Sequence, residues 1–240
     1  MTKGTTPAAS VERLARELHG RDPDDPLARE LRAWLGGSAR FRTFAEAHRD
    51  KIRKKLRTAG DDESLLDVRT ELGAAHLLLA DRRIELAYEA YGSGNAGPDF
   101  TLTFRGTRAC NVEVTRSRRV PDPDALGWVI LAKLRQLPPS VPNLLLIAAA
   151  GEHADALDIA AAVRIVRSRA DAKDEPFFAH RGFDGTRGFF DRFLRLGGVV
   201  TWCEAGSGDA RAALWTNGSA RIAVQDQAAR AILACLRAGG

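Results

Sequence analysis

The 240-residue chain carries 36 Lys plus Arg against 31 Asp plus Glu, a formal net charge of +5, with 45% apolar and 28% charged residues. Such a composition excludes a disordered or low-complexity protein, and the length holds one large domain or a domain with an appendage. The longest uncharged apolar run, Val141 to Gly151, is about half of the roughly 20 residues a membrane-spanning helix needs, so no transmembrane segment is expected.

From Val11 to Arg57 apolar residues recur at helix spacing (Leu14, Leu18, Leu31, Trp34, Leu35), broken at Asp22 to Pro26 and at Gly36-Gly37, which predicts two or three helices. His48 to Arg57 crowds cations onto a short helix whose inner edge is Ile52 and Leu56. Its plain reading is a solvated face; its functional reading is a phosphate contact through Arg53, Lys54, Lys55 and Arg57. Asp61-Asp62-Glu63-Ser64 marks a helix N-terminus, and that helix should run to about Ala80. Ile84, Leu86 and Tyr88 then alternate with polar or small residues as a strand, followed by a glycine-rich turn from Gly92 to Gly97. Phe100, Leu102 and Phe104 form a second alternating strand, and Cys110, Val112 and Val114 a third, joined through Arg105-Gly106-Thr107-Arg108 as an antiparallel hairpin. A helix is expected from about Asp124 to Leu137, and the unbroken apolar strand Leu144 to Ala149 should be buried on both faces. Beyond it the pattern predicts helices at 154–168 and 189–196, a strand at 198–203, an edge strand at 211–216 and a terminal helix at 226–237.

Strand alternation places Asp99 on the face opposite Phe100, Leu102 and Phe104, and puts Asn111, Glu113 and Thr115 on the face opposite Val112 and Val114. Pairing across the hairpin can therefore bring the Asp99 and Glu113 carboxylates together. Two carboxylates beside a main-chain carbonyl make the hard, oxygen-rich set that Mg²⁺ or Mn²⁺ prefers. Glu71, in the small-residue stretch Glu71-Leu72-Gly73-Ala74-Ala75, is a candidate third carboxylate.

A helix glutamate, a strand, a Pro-Asp opening the next strand, a Glu-x-Lys on the one after and a helix bearing Lys or Gln form the core of the PD-(D/E)XK nuclease superfamily. This chain resembles that family through Glu71, Pro98-Asp99, Glu113-Val114-Thr115 and Lys133-Leu134-Arg135-Gln136. The resemblance covers about residues 61–150, with Trp215 to Ala220 as a candidate addition. It implies an α/β fold with a mixed central sheet flanked by helices, the restriction-endonuclease-like α-β-β-β-α-β core, in residues 61–240 behind a basic helical segment of residues 1–60. It also implies phosphodiester hydrolysis with Mg²⁺ or Mn²⁺ held by Asp99, Glu113, the Val114 carbonyl and Glu71, with DNA rather than RNA as the expected nucleic acid. Homodimer formation is left open. The family's usual lysine is replaced by Thr115, so the cation is expected from Lys133, one of only six lysines beside 30 arginines, with Gln136 at i+3 in support. Arg116 is the weaker substitute, because alternation points it away from Glu113; it is counted with the nucleic-acid contacts. The competing expectation is a nuclease-fold protein that binds nucleic acid or a protein partner without catalysis.

Other signals carry less. Cys110, Cys203 and Cys235 have no C-x-x-C spacing and the five histidines no ligand spacing, so reduced thiols are expected and sulfur or imidazole metal chemistry is set aside. Gly92 to Gly97 matches G-x-G-x-x-G but precedes a strand where a dinucleotide fold needs a helix. Gly206-Ser207-Gly208 lacks the context of a nucleophile elbow. The basic and aromatic residues from His180 to Phe190 are read as a loop leading into a helix whose phenylalanines enter the core. No apolar stretch precedes the charges at Glu12, so a cytoplasmic location without a secretory signal is expected. The positive excess lies at the ends, with 14 basic and 8 acidic residues in 1–60 and 8 and 5 in 181–240.

Overall fold

The structure, a computed structural model, describes residues 7–20, 25–92, 97–117, 122–149, 157–203 and 212–238. The chain divides into two compact units, Met1–Arg82 and Arg83–Gly240. Among the described residues no helix is long and apolar enough to cross a membrane.

The first unit is helical: α1 (Pro7–His19), α2 (Pro26–Gly37), α3 (Ala39–Ala47), α4 (Arg49–Thr58) and α5 (Asp62–Leu78). Local chemistry sets most of the boundaries. Asp25 accepts from the Leu27 amide with Pro26 in the first turn, Ser38 accepts from Phe41, and Asp61 accepts from Ser64, each satisfying an amide that the helix start leaves without a partner. Two or three helices were expected ahead of Asp61, and the described residues form four. The additional break falls at His48 (φ −112°, ψ 17°), which is neither Gly nor Pro and keeps its amide bonded to the Phe44 carbonyl, so composition does not announce it. Leu31, Leu35, Phe41, Ile52, Leu72 and Leu78 fill the core of this unit. His76 stacks on Trp34 with centroids 5.6 Å apart and meets Phe41 edge-on; its burial lowers its pKa.

The second unit is α/β, built on a mixed, open six-stranded sheet. Its strands are β1 (Ile84–Tyr88), β2 (Phe100–Phe104), β3 (Thr107–Ser117), β4 (Asn143–Ala149), β5 (Leu196–Cys203) and β6 (Ala212–Thr216). Their order in the sheet is their order in the chain. The β1-β2 and β2-β3 pairs are antiparallel, β3-β4 and β4-β5 parallel, and β5-β6 antiparallel. Arg105 (φ 51°) and Gly106 (φ 76°) form the two-residue turn between β2 and β3; positive φ at both positions is what a tight hairpin turn with matching twist requires. Each parallel step needs a crossover: α6 (Pro123–Leu134) links β3 to β4, and α7 (Ile159–Asp171), α8 (Glu175–Ala179) and α9 (Gly185–Phe193) lie between β4 and β5. After β6, α10 (Asp226–Ala238) packs along β5 and β6.

Every residue of β4 is buried, as its unbroken apolar run implied. One face of the sheet presents Leu145, Ile147 and Val199 to Leu126, Ile130 and Leu134 of α6 and to the phenylalanines Phe178, Phe189 and Phe193. Gly127 admits the Val166 side chain of α7, since a Cβ there would lie only 2.9 Å from Val166 Cγ2. On the same face, nearer the hairpin, the core turns polar. Asn111 donates to Asn143 Oδ1 (3.1 Å) and accepts from Thr101 (3.0 Å), while Asn143 Nδ2 reaches the carbonyls of Pro138 and Arg195 at 2.9 Å. Both asparagines are fully buried, so these bonds lock the register of β2, β3 and β4 and tie in the chain entering β5.

Candidate active site

The site begins where two strands part. β2 starts at Phe100, opposite Val112, whereas β3 runs on to Ser117, so beyond Val112 the β2 side of β3 has no ladder. Continuing the register one residue sets Asp99 beside Glu113. The Asp99 side chain takes over the role of a strand there: Oδ2 accepts from the Val114 amide at 2.8 Å. The N–H and C=O of a strand residue leave on the same edge, so the Val114 carbonyl is directed to this side as well. Asn111, whose amide bonds the Pro142 carbonyl on the β4 side, has the opposite phase, as alternation demands.

Glu113 lies on the sheet face covered by α6, in register with Leu145 of β4. Its side chain is only 3% exposed. Burying a carboxylate is costly unless cations and donors surround it. Lys133, in the last turn of α6, meets this need with Nζ 2.7 Å from Glu113 Oε1. The helix ends at Leu134, yet Gln136 N still donates to the Lys133 carbonyl at 3.0 Å, which carries the helical turn on and returns Gln136 to the same side. With its amide nitrogen turned to the carboxylate, as an acceptor-only group requires, Gln136 donates to both Glu113 oxygens. Asp99 at the start of β2, Glu113 and Val114 in the middle of β3, and Lys133 and Gln136 at the end of α6 are thus linked by hydrogen bonds. The Lys133 side chain stays 25% exposed.

Glu71 belongs to the first unit, where it is buried in α5 and Lys55 Nζ lies 2.8 Å from each of its oxygens. Two residues expected in separate roles, a metal ligand and a phosphate contact, are thus partners in one ion pair. Arg53, Lys54 and Arg57 are exposed on α4, as a solvated cationic face should be, with Ile52 and Leu56 inward. Thr115 shares the strand face of Glu113 two residues on, Arg116 takes the other face, and both are half-buried. Among the described residues no group of three or more His, Cys, Asp or Glu is gathered so as to hold a metal ion.

The weaker motifs resolve structurally. Residues 93–96 of the glycine-rich stretch and Gly206-Ser207-Gly208 lie outside the described residues. Asn217, the head of an Asn-Gly-Ser pattern, is buried and donates to the Phe193 and Leu196 carbonyls at 3.0 and 2.9 Å. Phe183 and Phe189 enter the core, while Arg181 stacks 3.3 Å above Trp128 and 3.6 Å from Phe177. Asn111 lies on the face opposite Val112 and Val114 as alternation predicts, but its burial and its pairing with Asn143 do not follow from alternation. The available signal was an Asn opening the otherwise apolar β4, which a buried acceptor or donor must answer.

Comparison with protein-family models, with curated proteins and with solved structures returns no match.

Proposed function

We propose that the chain is a metal-dependent nuclease with a PD-(D/E)XK-like site, hydrolysing phosphodiester bonds in DNA. The observation that carries this reading is the 2.7 Å contact between Lys133 and Glu113, with Asp99 held at the neighbouring strand end. The family's lysine is absent at Thr115, and a lysine delivered from the next helix to the strand glutamate is the compensation that the resemblance calls for. Strand order supports it too: an antiparallel β1-β2-β3 meander, a helical crossover and a parallel β4 fit the β-β-β-α-β part of the restriction-endonuclease-like core. Residues of the second unit alone carry the reading.

Asp99, Glu113 and the Val114 carbonyl would hold Mg²⁺ or Mn²⁺, an all-oxygen set that matches these hard ions. Such an ion, when bound, acidifies a bound water and neutralises charge on phosphoryl oxygens. The protein's own groups do the rest. Asp99 is fixed by the Val114 amide, so its carboxylate is pre-oriented. Lys133 supplies the positive charge that orients an attacking water and stabilises charge developing on the phosphate. Gln136 holds Glu113 in one rotamer while Lys133 does so.

The test is incubation of the full chain with plasmid, linear and single-stranded DNA in Mg²⁺ or Mn²⁺, beside Glu113→Ala. Cleavage that disappears in Glu113→Ala supports the proposal. Equal cleavage by both proteins, or none by either, overturns it; salt-sensitive DNA binding without cleavage selects the non-catalytic nuclease-fold alternative.

A further inference from the structure

A cleft of about 280 Å³ opens between the end of α6 and α9, lined by Arg135, Arg187, Arg192 and Arg195 together with Asp184 and Asp191. Four cations face two carboxylates, and Asp191 is already engaged by Arg221 at 2.9 Å. Two of the arginines are anchored. Arg192 Nη1 donates to the Arg135 carbonyl and Arg195 Nη1 to the Leu137 carbonyl, each at 3.2 Å. Capping the carbonyl end of α6 in this way is a sufficient structural role for one N–H of each. A guanidinium has five, and Arg195 Nε is buried with no hydrogen-bond partner among the described residues. Burial, then Arg192 and Arg221, lower the Arg195 pKa, so this cation is crowded by neighbours of its own sign. At the rim Gly182 (φ 74°) leaves room for a guanidinium: a Cβ there would stand 2.8 Å from Arg135 Nη1.

Clustered, partly fixed guanidinium groups with too few carboxylates match a ligand that brings negative charge and several acceptor oxygens. The cleft is smaller than the roughly 300–1,000 Å³ of drug-sized pockets and suits a compact anion. We infer that it binds a phosphate group, either a phosphodiester of a nucleic-acid backbone or a small free phosphate compound. The inference uses none of the Glu113 chemistry and stands apart from the nuclease reading.

Arg187 is exposed on the first turns of α9, so its removal should leave the fold intact. The full chain, Arg187→Ala and Arg187→Ala/Arg192→Ala are compared for binding a fluorescent DNA oligonucleotide and, by calorimetry, inorganic pyrophosphate; thermal melts check folding. The expected result is binding by the unaltered protein and at least tenfold weaker binding by the double variant in one arm or both, with Arg187→Ala between. A loss confined to DNA assigns the backbone, and one confined to pyrophosphate assigns a small phosphate compound. Affinity unchanged in both arms, or no binding of either probe by the unaltered protein, overturns the inference. Cleavage abolished by Glu113→Ala, with both affinities unchanged by the arginine substitutions, would leave the nuclease reading standing while this one falls.

Discussion

Lys133 reaches back from the final turn of α6 to place its ammonium 2.7 Å from Glu113, a carboxylate otherwise sealed within the sheet face. Removing the lysine strands a buried charge; removing both partners does not. Lys133→Ala is therefore expected to destabilise by about 1–3 kcal/mol, below the roughly 3–5 kcal/mol for a fully buried pair because Lys133 is partly exposed. Lys133→Ala/Glu113→Gln should recover most of that loss. Urea denaturation of the four-member cycle measures the coupling, and additive effects would contradict it. DNA cleavage should be lost in all three variants.

Asp99 serves β3 as a surrogate strand by accepting from the Val114 amide. An asparagine carbonyl can accept the same bond, whereas alanine leaves the amide without it. Asp99→Asn should keep wild-type stability yet lose metal-dependent cleavage, and Asp99→Ala should lose both, costing about 1–3 kcal/mol. Paired denaturation and cleavage assays separate the structural role from the catalytic one.

On α4 the cations divide by role. Lys55 is held by Glu71, while Arg53, Lys54 and Arg57 are exposed. If α4 grips DNA, replacing the exposed three with alanine should weaken binding and flatten its salt dependence, by about 0.9 in log–log slope for each phosphate no longer neutralised. Lys55→Ala should instead lower stability, and Glu71→Gln in the same chain should restore it. Anisotropy titrations at several salt concentrations and denaturation curves read the two effects independently.

Burial pushes the Cys110 thiol up to about 12, and the side chain is fully enclosed. In the unfolded chain a cysteine ionises near pH 8.5, so above that value the unfolded state releases a proton the folded state keeps. Stability from this group is complete below about pH 8.5 and is lost as pH rises toward 12. Cys110→Ala should therefore show a shallower decline in urea midpoint between pH 8 and 10.5. A disulfide reagent at pH 8 should leave Cys110 unmodified until denaturant is added.

Much of the second unit is legible in the chain. The alternation at Phe100–Phe104 and Ala109–Val114 and the Arg105-Gly106 turn specify the hairpin, and the apolar run of β4 specifies a doubly covered strand. Lys133 could be named because the helix between β3 and β4 carries one lysine. The burial of Glu113 was less visible: alternation fixes which face it shares, and only the packing of α6 shows that face to be closed. The His48 break escaped notice because its backbone turn costs no hydrogen bond and uses no Gly or Pro. The arginine cleft was hidden for another reason, since Arg135 lies more than forty positions before the α9 residues that face it, and no local pattern joins them.

The antiparallel β1-β2-β3 meander can assemble from local pairings before β4 and β5, reached across long crossovers, arrive. A two-residue turn closes the β2-β3 hairpin on a scale of about 1–10 μs. Substitutions at Leu102 or Val112 are accordingly expected to slow folding in stopped-flow measurements, and those at Lys133 mainly to speed unfolding. In that order of events Glu113 remains hydrated until α6 settles over it. The helix that excludes water from the carboxylate also carries its counter-charge, so the acid enters the dry interior already neutralised.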